Sequence, residues 1–335
     1  MRGGVLHIFC LLVSLYLLSC SKFEYSEEVQ SDETLVSVNV GGKGYRVMAE
    51  RQVNSLHYLW QSDSVEQALR VGDYYAVAFL ADEQTYQLSG LTEFVQDFSA
   101  SMQDVYASLP ELDLNDTLVD CNPYSPFIRH ADGPLMCASQ RFSARDSLMT
   151  VTFEPVSLTQ FLKFRFSLHV DQDVEISSVN AILSGVAGRV KLMTGQVRND
   201  IENPTYKVHL NTQMVSYGAL MNYEASANIL GLFPSVSEIY QVGPGILHLQ
   251  VDAFVDDDGV LKEKVFYAGI NLKALIEDAE LMTEAEDQSG YRLNKAEAQI
   301  EIPVILEVKR DRVISGTGDG FSQWFINDGE INVEV

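Results

Sequence analysis

Alternation of apolar and polar residues constrains the fold of this 335-residue chain more than any other feature. From Thr34 onward, short segments with a period of two are separated by turn-forming residues, and Leu162–Val170 shows the pattern most clearly. A period of two places successive side chains on opposite faces of a β-strand. The remaining segments of this kind are Leu35–Val40, Tyr74–Phe79, Lys207–Leu210, Ile246–Phe254, Val260–Tyr267 and Glu301–Val308. The chain is therefore predicted to be mostly β, with a hairpin turn at Asp258-Gly259.

Helical periodicity is weak and local. The candidate helices are Ser64–Leu69, Leu91–Leu109 and Asn271–Ala279. The second of them spaces four apolar residues for one face, namely Phe94, Phe98, Met102 and Val105. No repeat of 20–50 residues is apparent, which excludes solenoids and propellers. The sequence thus predicts β-sheets with a few short helices.

The first 19 residues have the composition of an export signal. Arg2 precedes an apolar run from Val5 to Leu18, which is shorter than the roughly 20 residues that span a bilayer. The tetrapeptide that ends in Cys20 resembles the lipobox of bacterial lipoproteins, so Cys20 is the predicted lipidated residue after cleavage. Residues 20–33 are polar and acidic, as expected of a solvated tether. The alternative is an ordinary cleaved signal followed by a chance cysteine.

The charge of the mature chain excludes several partners. Without residues 1–19 the chain has 22 basic and 47 acidic residues, a net charge of −25. Affinity for nucleic acid depends on Lys and Arg neutralising phosphates, so a nucleic-acid partner is not expected. Adsorption to an anionic membrane surface is disfavoured for the same reason. Attachment to the outer membrane therefore depends on the N-terminal lipid.

The remaining 316 residues are long enough for two domains, which we place at 34–148 and 149–335. The boundary follows the turn-rich stretch Cys121–Arg145. Cys121 and Cys137 would close a loop of about 15 residues, and a disulfide there would contribute about 3 kcal/mol. The alternative is two separate buried thiols.

No pattern of catalytic or metal-binding residues is present. The six histidines are scattered, and no paired-histidine zinc motif, nucleophile elbow or dinucleotide fingerprint occurs. The Asp256-Asp257-Asp258-Gly259 turn lacks the alternating ligands of a calcium loop. The sequence therefore predicts no enzyme, no metal site and no cofactor.

Several segments, in order along the chain, resemble the fimbrillin-like proteins of Bacteroidales, which form type V pili. They are Gly72–Phe79, Phe153–Thr159 with the strand up to Val170, Leu183–Gly188, and the ending Asp319–Ser322 with Glu330–Val335. The nearest group is the lipoproteins related to fimbrial anchor and accessory subunits. The resemblance implies two transthyretin-like β-sandwich domains, a lipid-anchored outer-membrane protein at the cell surface, and other fimbrial subunits as partners. If processed, the chain would be part of a fimbrium.

The resemblance also implies candidate assembly residues. In polymerising members, a protease cuts after an arginine near the first strand, and the C-terminal strand of a neighbour fills the groove. Arg46 and Arg51 are the candidate cleavage positions here. Ile331, Val333 and Val335 alternate as a donor strand requires. Trp324 and Phe325 are candidate upstream anchors, and Gly316, Gly318 and Gly320 supply a flexible approach.

Three alternatives stay open. Glu330–Val335 could be the last strand of the second sandwich of this chain rather than a donor. The protein could be a lipidated module that binds glycans or host ligands through an exposed aromatic platform, with Tyr45, Tyr58, Trp60 and Tyr86 as members. The least favoured alternative is a hydrolase, which would need two carboxylates or a Ser-His pair in one cleft.

Overall fold

The computed structural model describes residues 32–63, 66–97, 99–112, 125–145, 147–200, 204–238, 243–286, 290–311, 313–315 and 325–327. The strands of the first half are β1 (Glu33–Asn39), β2 (Arg46–Arg51), β3 (His57–Gln61), β4 (Gln67–Arg70), β5 (Gly72–Ala81), β6 (Gln87–Ser89), β7 (Tyr106–Ser108), β8 (Glu111–Leu112), β9 (Phe127–Ile128), β10 (Leu135–Ala144), β11 (Leu148–Thr152) and β12 (Val156–Ser157). Those of the second half are β13 (Gln160–Val170), β14 (Val174–Ala187), β15 (Arg189–Lys191), β16 (Thr205–Ser216), β17 (Met221–Ile229), β18 (Ile246–Asp257), β19 (Val260–Asn271), β20 (Met282–Glu284), β21 (Tyr291–Leu293), β22 (Glu297–Val308), β23 (Val313–Ser315) and β24 (Phe325–Asn327). The helices are α1 (Leu91–Gln96) and α2 (Lys273–Asp278), and Met102–Asp104 form a 3-10 turn. The prediction of a mostly β protein with a few short helices is confirmed.

Two sheets form a sandwich in the N-terminal half. One has the order β11-β1-β4 and the other the order β12-β10-β5-β2-β3. Both faces of the larger sheet are buried, as the side chains of strand β5 show. Tyr74, Ala76 and Ala78 join the core between the two sheets, whereas Val77 and Phe79 join the larger core shared with the second half.

The C-terminal half is built on a long sheet with the order β23-β22-β13-β17-β16-β14-β18-β19-β24. Strand β16 is shared between two layers, because residues up to Leu210 pair with β14 and residues from Asn211 pair with β17. The alternation of β13 is observed as predicted, with Leu162, Phe164, Phe166 and Leu168 all buried. The Arg310 guanidinium, just after β22, contacts Asp257 at the end of β18, so strands from opposite ends of the strand order approach each other. The sheet therefore folds over its own core.

The two halves share a core at their junction. Phe79 and Leu135 of the first half belong to the same hydrophobic cluster as Leu158, Leu192 and most of the second half. Strand β11, which starts at the predicted domain boundary, pairs in parallel with β1. The division at residues 148 and 149 stays a prediction.

The first and last strands of the described chain approach different ends of the molecule. Strand β1 begins beside Val71, whose N–H donates to the Asp32 carbonyl, and it ends where Phe153 leads into the second half. Strand β24 places Phe325 opposite Gly269 and Asn327 opposite Tyr267, so it runs toward the β18–β19 hairpin. The start of β1 and the end of β24 therefore lie toward opposite ends of the described structure.

Local predictions had mixed outcomes. The hairpin is confirmed, since Asp258 and Gly259 adopt φ of 55° and 86° between paired β18 and β19. The helix predicted within Asn271–Ala279 is also confirmed. The helix Ser64–Leu69 is wrong, because residues 67–70 form strand β4 and pair with β1.

The prediction of a single helix over Leu91–Leu109 is wrong as well. The α-helix ends at Gln96, and the Asp97 carboxylate accepts a hydrogen bond from the Ser99 N–H at 2.8 Å. The Ser101 hydroxyl then caps the 3-10 turn. Such side chain to backbone bonds compete with helix continuation. Phe94, Met102 and Val105 are still buried, although three different local conformations bury them, and Phe98 lies outside the described residues.

Candidate functional site

Strand β1 is the centre of the candidate assembly site. It lies between two partners, parallel to β11 with Leu35 opposite Leu148 and antiparallel to β4 with Glu33 opposite Arg70. Both neighbours are edge strands of the three-stranded sheet. Removal of β1 would therefore leave an open slot with a free hydrogen-bonding edge on each side.

The inward side of β1 is apolar. Val36 and Val40 are buried, and Val38 packs against the same core. Thr34 is also fully buried, and its hydroxyl makes no hydrogen bond within the described chain. Leu35 on the opposite face is 41% exposed. The site thus requires apolar side chains at the positions of Val36, Val38 and Val40 in the strand that fills it.

Arg46 lies inside the folded sheet. It opens strand β2, where it is opposite Gln61 of β3 and Phe79 of β5. Its guanidinium lies 5.0 Å from the centroid of the Phe79 ring and 3.1 Å from a Glu83 carboxylate oxygen. Proteolysis after Arg46 would require β2 to separate from two neighbours.

Arg51 ends the same strand and is held by its side chain. The guanidinium donates to the Val71 carbonyl, and Nη1 donates to Asn54 Oδ1 at 3.3 Å. Gly72 makes this contact possible, because a Cβ at that position would lie 2.4 Å from Arg51 Nε. The arginine thus fastens the β2–β3 turn to the start of β5.

Several predicted site residues lie outside the described residues. They are Cys20, Cys121, Gly316, Gly318, Gly320, Trp324, Ile331, Val333 and Val335. Cys137 is described: it is buried, and its Sγ donates to the Leu192 carbonyl at 2.7 Å. Burial raises the pKa of this thiol to about 12, so it is protonated at neutral pH.

The proposed aromatic platform is not formed. Tyr45, Trp60 and Tyr86 are buried side chains, and the Tyr86 hydroxyl donates to the Gly133 carbonyl. Tyr58 is half-buried and makes an edge contact with the Tyr74 ring at 5.9 Å. These rings belong to the core of the sandwich and its margin, which rules them out as a flat sugar-stacking surface.

Acidic residues in the described part of the chain do not form a metal site. No group of three or more potential ligands occurs among the described residues. At the β18–β19 hairpin, Asp256 accepts from the Gly259 N–H, while Asp257 contacts Lys262 and Arg310. Within the described ranges, no helix is long and apolar enough to span a bilayer.

An ion-pair cluster on the outer face of the C-terminal sheet was not anticipated. Glu224 of β17 contacts Lys163 at 3.0 Å and Arg165 at 2.6 Å, both from β13. Hydrogen bonds from Lys163 and Arg165 lower the pKa of the Glu224 carboxyl. This ion-pair cluster could be predicted only from the strand register, because Arg165 is directly opposite Glu224 in the antiparallel ladder.

Comparisons with known proteins give structural neighbours only. No protein-family model matches the chain, and no curated protein matches it in sequence. A candidate adhesin from Bacteroides ovatus is similar at a TM-score of 0.46 and 11% identity, covering 81% of this chain and 89% of that one. The fimbrial anchor protein Mfa2 from Porphyromonas gingivalis is similar at a TM-score of 0.44 and 11% identity, covering 88% and 98%. A candidate adhesin from Bacteroides thetaiotaomicron gives 0.41 and 11%, covering 88% and 96%. At these levels of similarity, function must be argued from the residues of this chain.

Proposed function

We propose that the chain is a surface lipoprotein that acts as a fimbrial anchor or accessory subunit in cell adhesion and assembles by β-strand addition. Lipidation of Cys20 would hold it at the outer membrane through the acidic tether. The collinear sequence segments that resemble fimbrillin-like proteins support this assignment, and so does the central position of β1 in its sheet.

A match between two segments of the chain carries the proposal. Strand β1 and the residue that follows it read Val36-Ser37-Val38-Asn39-Val40, and the C-terminus reads Ile331-Asn332-Val333-Glu334-Val335. Both have three β-branched apolar residues at a spacing of two with polar residues between them. The C-terminal segment of this chain therefore has the side-chain pattern of a donor strand, the pattern that a slot like that of β1 requires.

The surroundings of the candidate cleavage sites support retention of β1. Arg46 is hydrogen-bonded into β2 between two strands, and the Arg51 guanidinium is held by Val71 and Asn54. An uncut chain keeps its lipid and a closed β1 slot, which is the arrangement an anchor requires. In that role the chain would donate its own C-terminus or bind other subunits at a different surface.

The experiment is mass and N-terminal analysis of the protein purified from its native outer membrane, with boiled and unboiled gel samples. A lipidated Cys20 and a monomeric band are expected. A Cys20→Ala variant should leave the membrane fraction, whereas Ser21→Ala, its matched control, should stay. A new N-terminus directly after Arg46 or Arg51 together with a heat-labile ladder would replace the anchor role by that of a polymerising pilin. An unlipidated monomer in the soluble fraction would contradict the proposal.

A further inference from the structure

A cavity of about 410 Å³ lies where the small sheet β15-β7-β6 meets the start of β16. Its polar lining comes from Gln87, Ser108, Glu111, Arg189, Arg198 and Tyr206. The volume lies in the range of small-molecule sites, and junctions between domains are a common place for them. None of these residues takes part in the β1 site.

One row of the small sheet supplies three of the lining residues. Ser108 of β7 is opposite Gln87 of β6 on one side and opposite Arg189 of β15 on the other. Residues in one row of neighbouring strands share a face of the sheet. The Arg189 guanidinium lies 4.9 Å from the centroid of the Tyr106 ring, which supports the cation from below. A positioned cation and two neutral hydrogen-bonding residues therefore line the same cavity, and the Ser108 hydroxyl donates to the Gln87 carbonyl at 3.2 Å.

The Tyr206 ring forms part of the cavity wall and packs against the backbone of Gly188. A Cβ at Gly188 would lie 2.1 Å from the Tyr206 ring, so only glycine allows the ring to rest against the backbone there. The Tyr206 hydroxyl is bonded to the Glu111 side chain, and burial together with this carboxylate raises the pKa of the tyrosine. Arg198 adds a second guanidinium, with its Nε 3.8 Å from an Asp200 carboxylate oxygen.

This set of groups has the chemistry of an acidic-sugar site. Planar guanidinium groups bind a carboxylate through paired charge-assisted hydrogen bonds. Carboxylate, amide and hydroxyl groups such as those of Glu111, Gln87 and Ser108 bind the hydroxyls of a sugar ring. An aromatic ring packs against the apolar face of a sugar.

We propose that this cavity binds an acidic monosaccharide unit, such as a uronic or sialic acid, with its carboxylate on Arg189 and Arg198 and its hydroxyls toward Glu111 and Gln87. The proposal does not depend on the fimbrial assignment, because a chain that never joins a fimbrium would still bind the sugar. It would add recognition of acidic glycans to an otherwise structural protein.

The test uses the full mature lipoprotein in detergent and measures binding of glucuronic acid and N-acetylneuraminic acid by saturation-transfer NMR and calorimetry. Glucose and N-acetylglucosamine are the neutral probes. We expect at least one acidic sugar to bind and the neutral sugars to bind at least about tenfold more weakly, since charge-assisted hydrogen bonds differ from neutral ones by about that factor.

Two variants locate the site. A double variant with Arg189→Gln and Arg198→Gln should weaken binding of the acidic sugars by about tenfold or more. The matched control is Arg141→Gln, an exposed arginine of β10 that lies over the Tyr75 ring and not in the cavity. If the double variant does not fold, Arg198→Gln alone replaces it, because the Arg198 side chain is 41% exposed. Absence of binding by both acidic sugars, equal binding of neutral sugars, or binding that survives the arginine substitutions would each overturn the proposal.

Discussion

Substitution of Val36 by alanine tests the account of β1 as a strand held by its alternate side chains. Val36 is 1% exposed and belongs to the core between the two N-terminal sheets. Removal of two buried methyl groups costs about 1.6 kcal/mol in transfer free energy, and the cavity left behind raises the expected loss to about 2–3 kcal/mol. The matched control is Leu35→Ala on the same strand, where a side chain that is 41% exposed should cost no more than about 1.5 kcal/mol.

The assay is urea unfolding of the chain without its signal and lipid, followed by circular dichroism. Val36→Ala should lower the transition midpoint without a change in the slope of the free energy of unfolding against urea, since the surface exposed on unfolding is nearly the same. An equal loss for both variants, or a loss below about 0.5 kcal/mol for Val36→Ala, would refute the assignment of the inward face of β1.

Further predictions concern a turn, a thiol and an ion pair. Gly90→Ala should destabilise the folded protein by more than about 2 kcal/mol, because Gly90 has φ of 77° and an added Cβ would lie 2.1 Å from the Asp104 carbonyl oxygen. Its control, Gly41→Ala, has φ of 67° but open space around the added Cβ, and should cost only about 1 kcal/mol. Thermal melting measures both. The Cys137 pKa of about 12 is raised from 9.0, so the free energy of unfolding should fall as the pH rises from about 9 toward 12; Cys137→Ala should reduce this slope, and an unchanged slope would contradict it. Because the pKa of Glu224 is lowered in the folded state, its ionised carboxylate stabilises the fold above pH 4.5, and this stabilisation is lost as the pH falls. In a plot of melting temperature against pH, Glu224→Gln should therefore reduce the fall at acid pH more than Glu301→Gln does. Equal curves for the two variants would count against the ion-pair cluster.

The sequence predicts strands well where one face of a sheet is buried. Strand β13 and the β18–β19 hairpin follow directly from alternation and from the Asp-Gly turn. Segments with few apolar residues are less certain, because tertiary pairing overrides their local preference. Residues 67–70 show this, since Leu69 is buried by pairing of β4 with β1 rather than by a helix.

Long-range pairing explains what the sequence could not predict. Strand β11 joins β1 across more than 100 residues, and β16 changes its partner at Leu210 without a local signal. The cavity is harder still to foresee, because Gln87, Ser108 and Arg189 become neighbours only through the register of β6, β7 and β15. Topology, not residue spacing, creates such sites.

The most direct test of strand addition is the stability of a chain that begins at Gly41, and so lacks β1, with and without a synthetic peptide of residues Asn327–Val335. The account predicts that the peptide raises the melting temperature of the shortened chain in a concentration-dependent manner. It also predicts no effect on the uncut chain and little effect of a peptide with Val333→Asp, which would place a charge in the apolar slot. An unchanged melting temperature, or an equal rise with the Val333→Asp peptide, would contradict the central claim that the C-terminal segment of this chain can act as a donor strand.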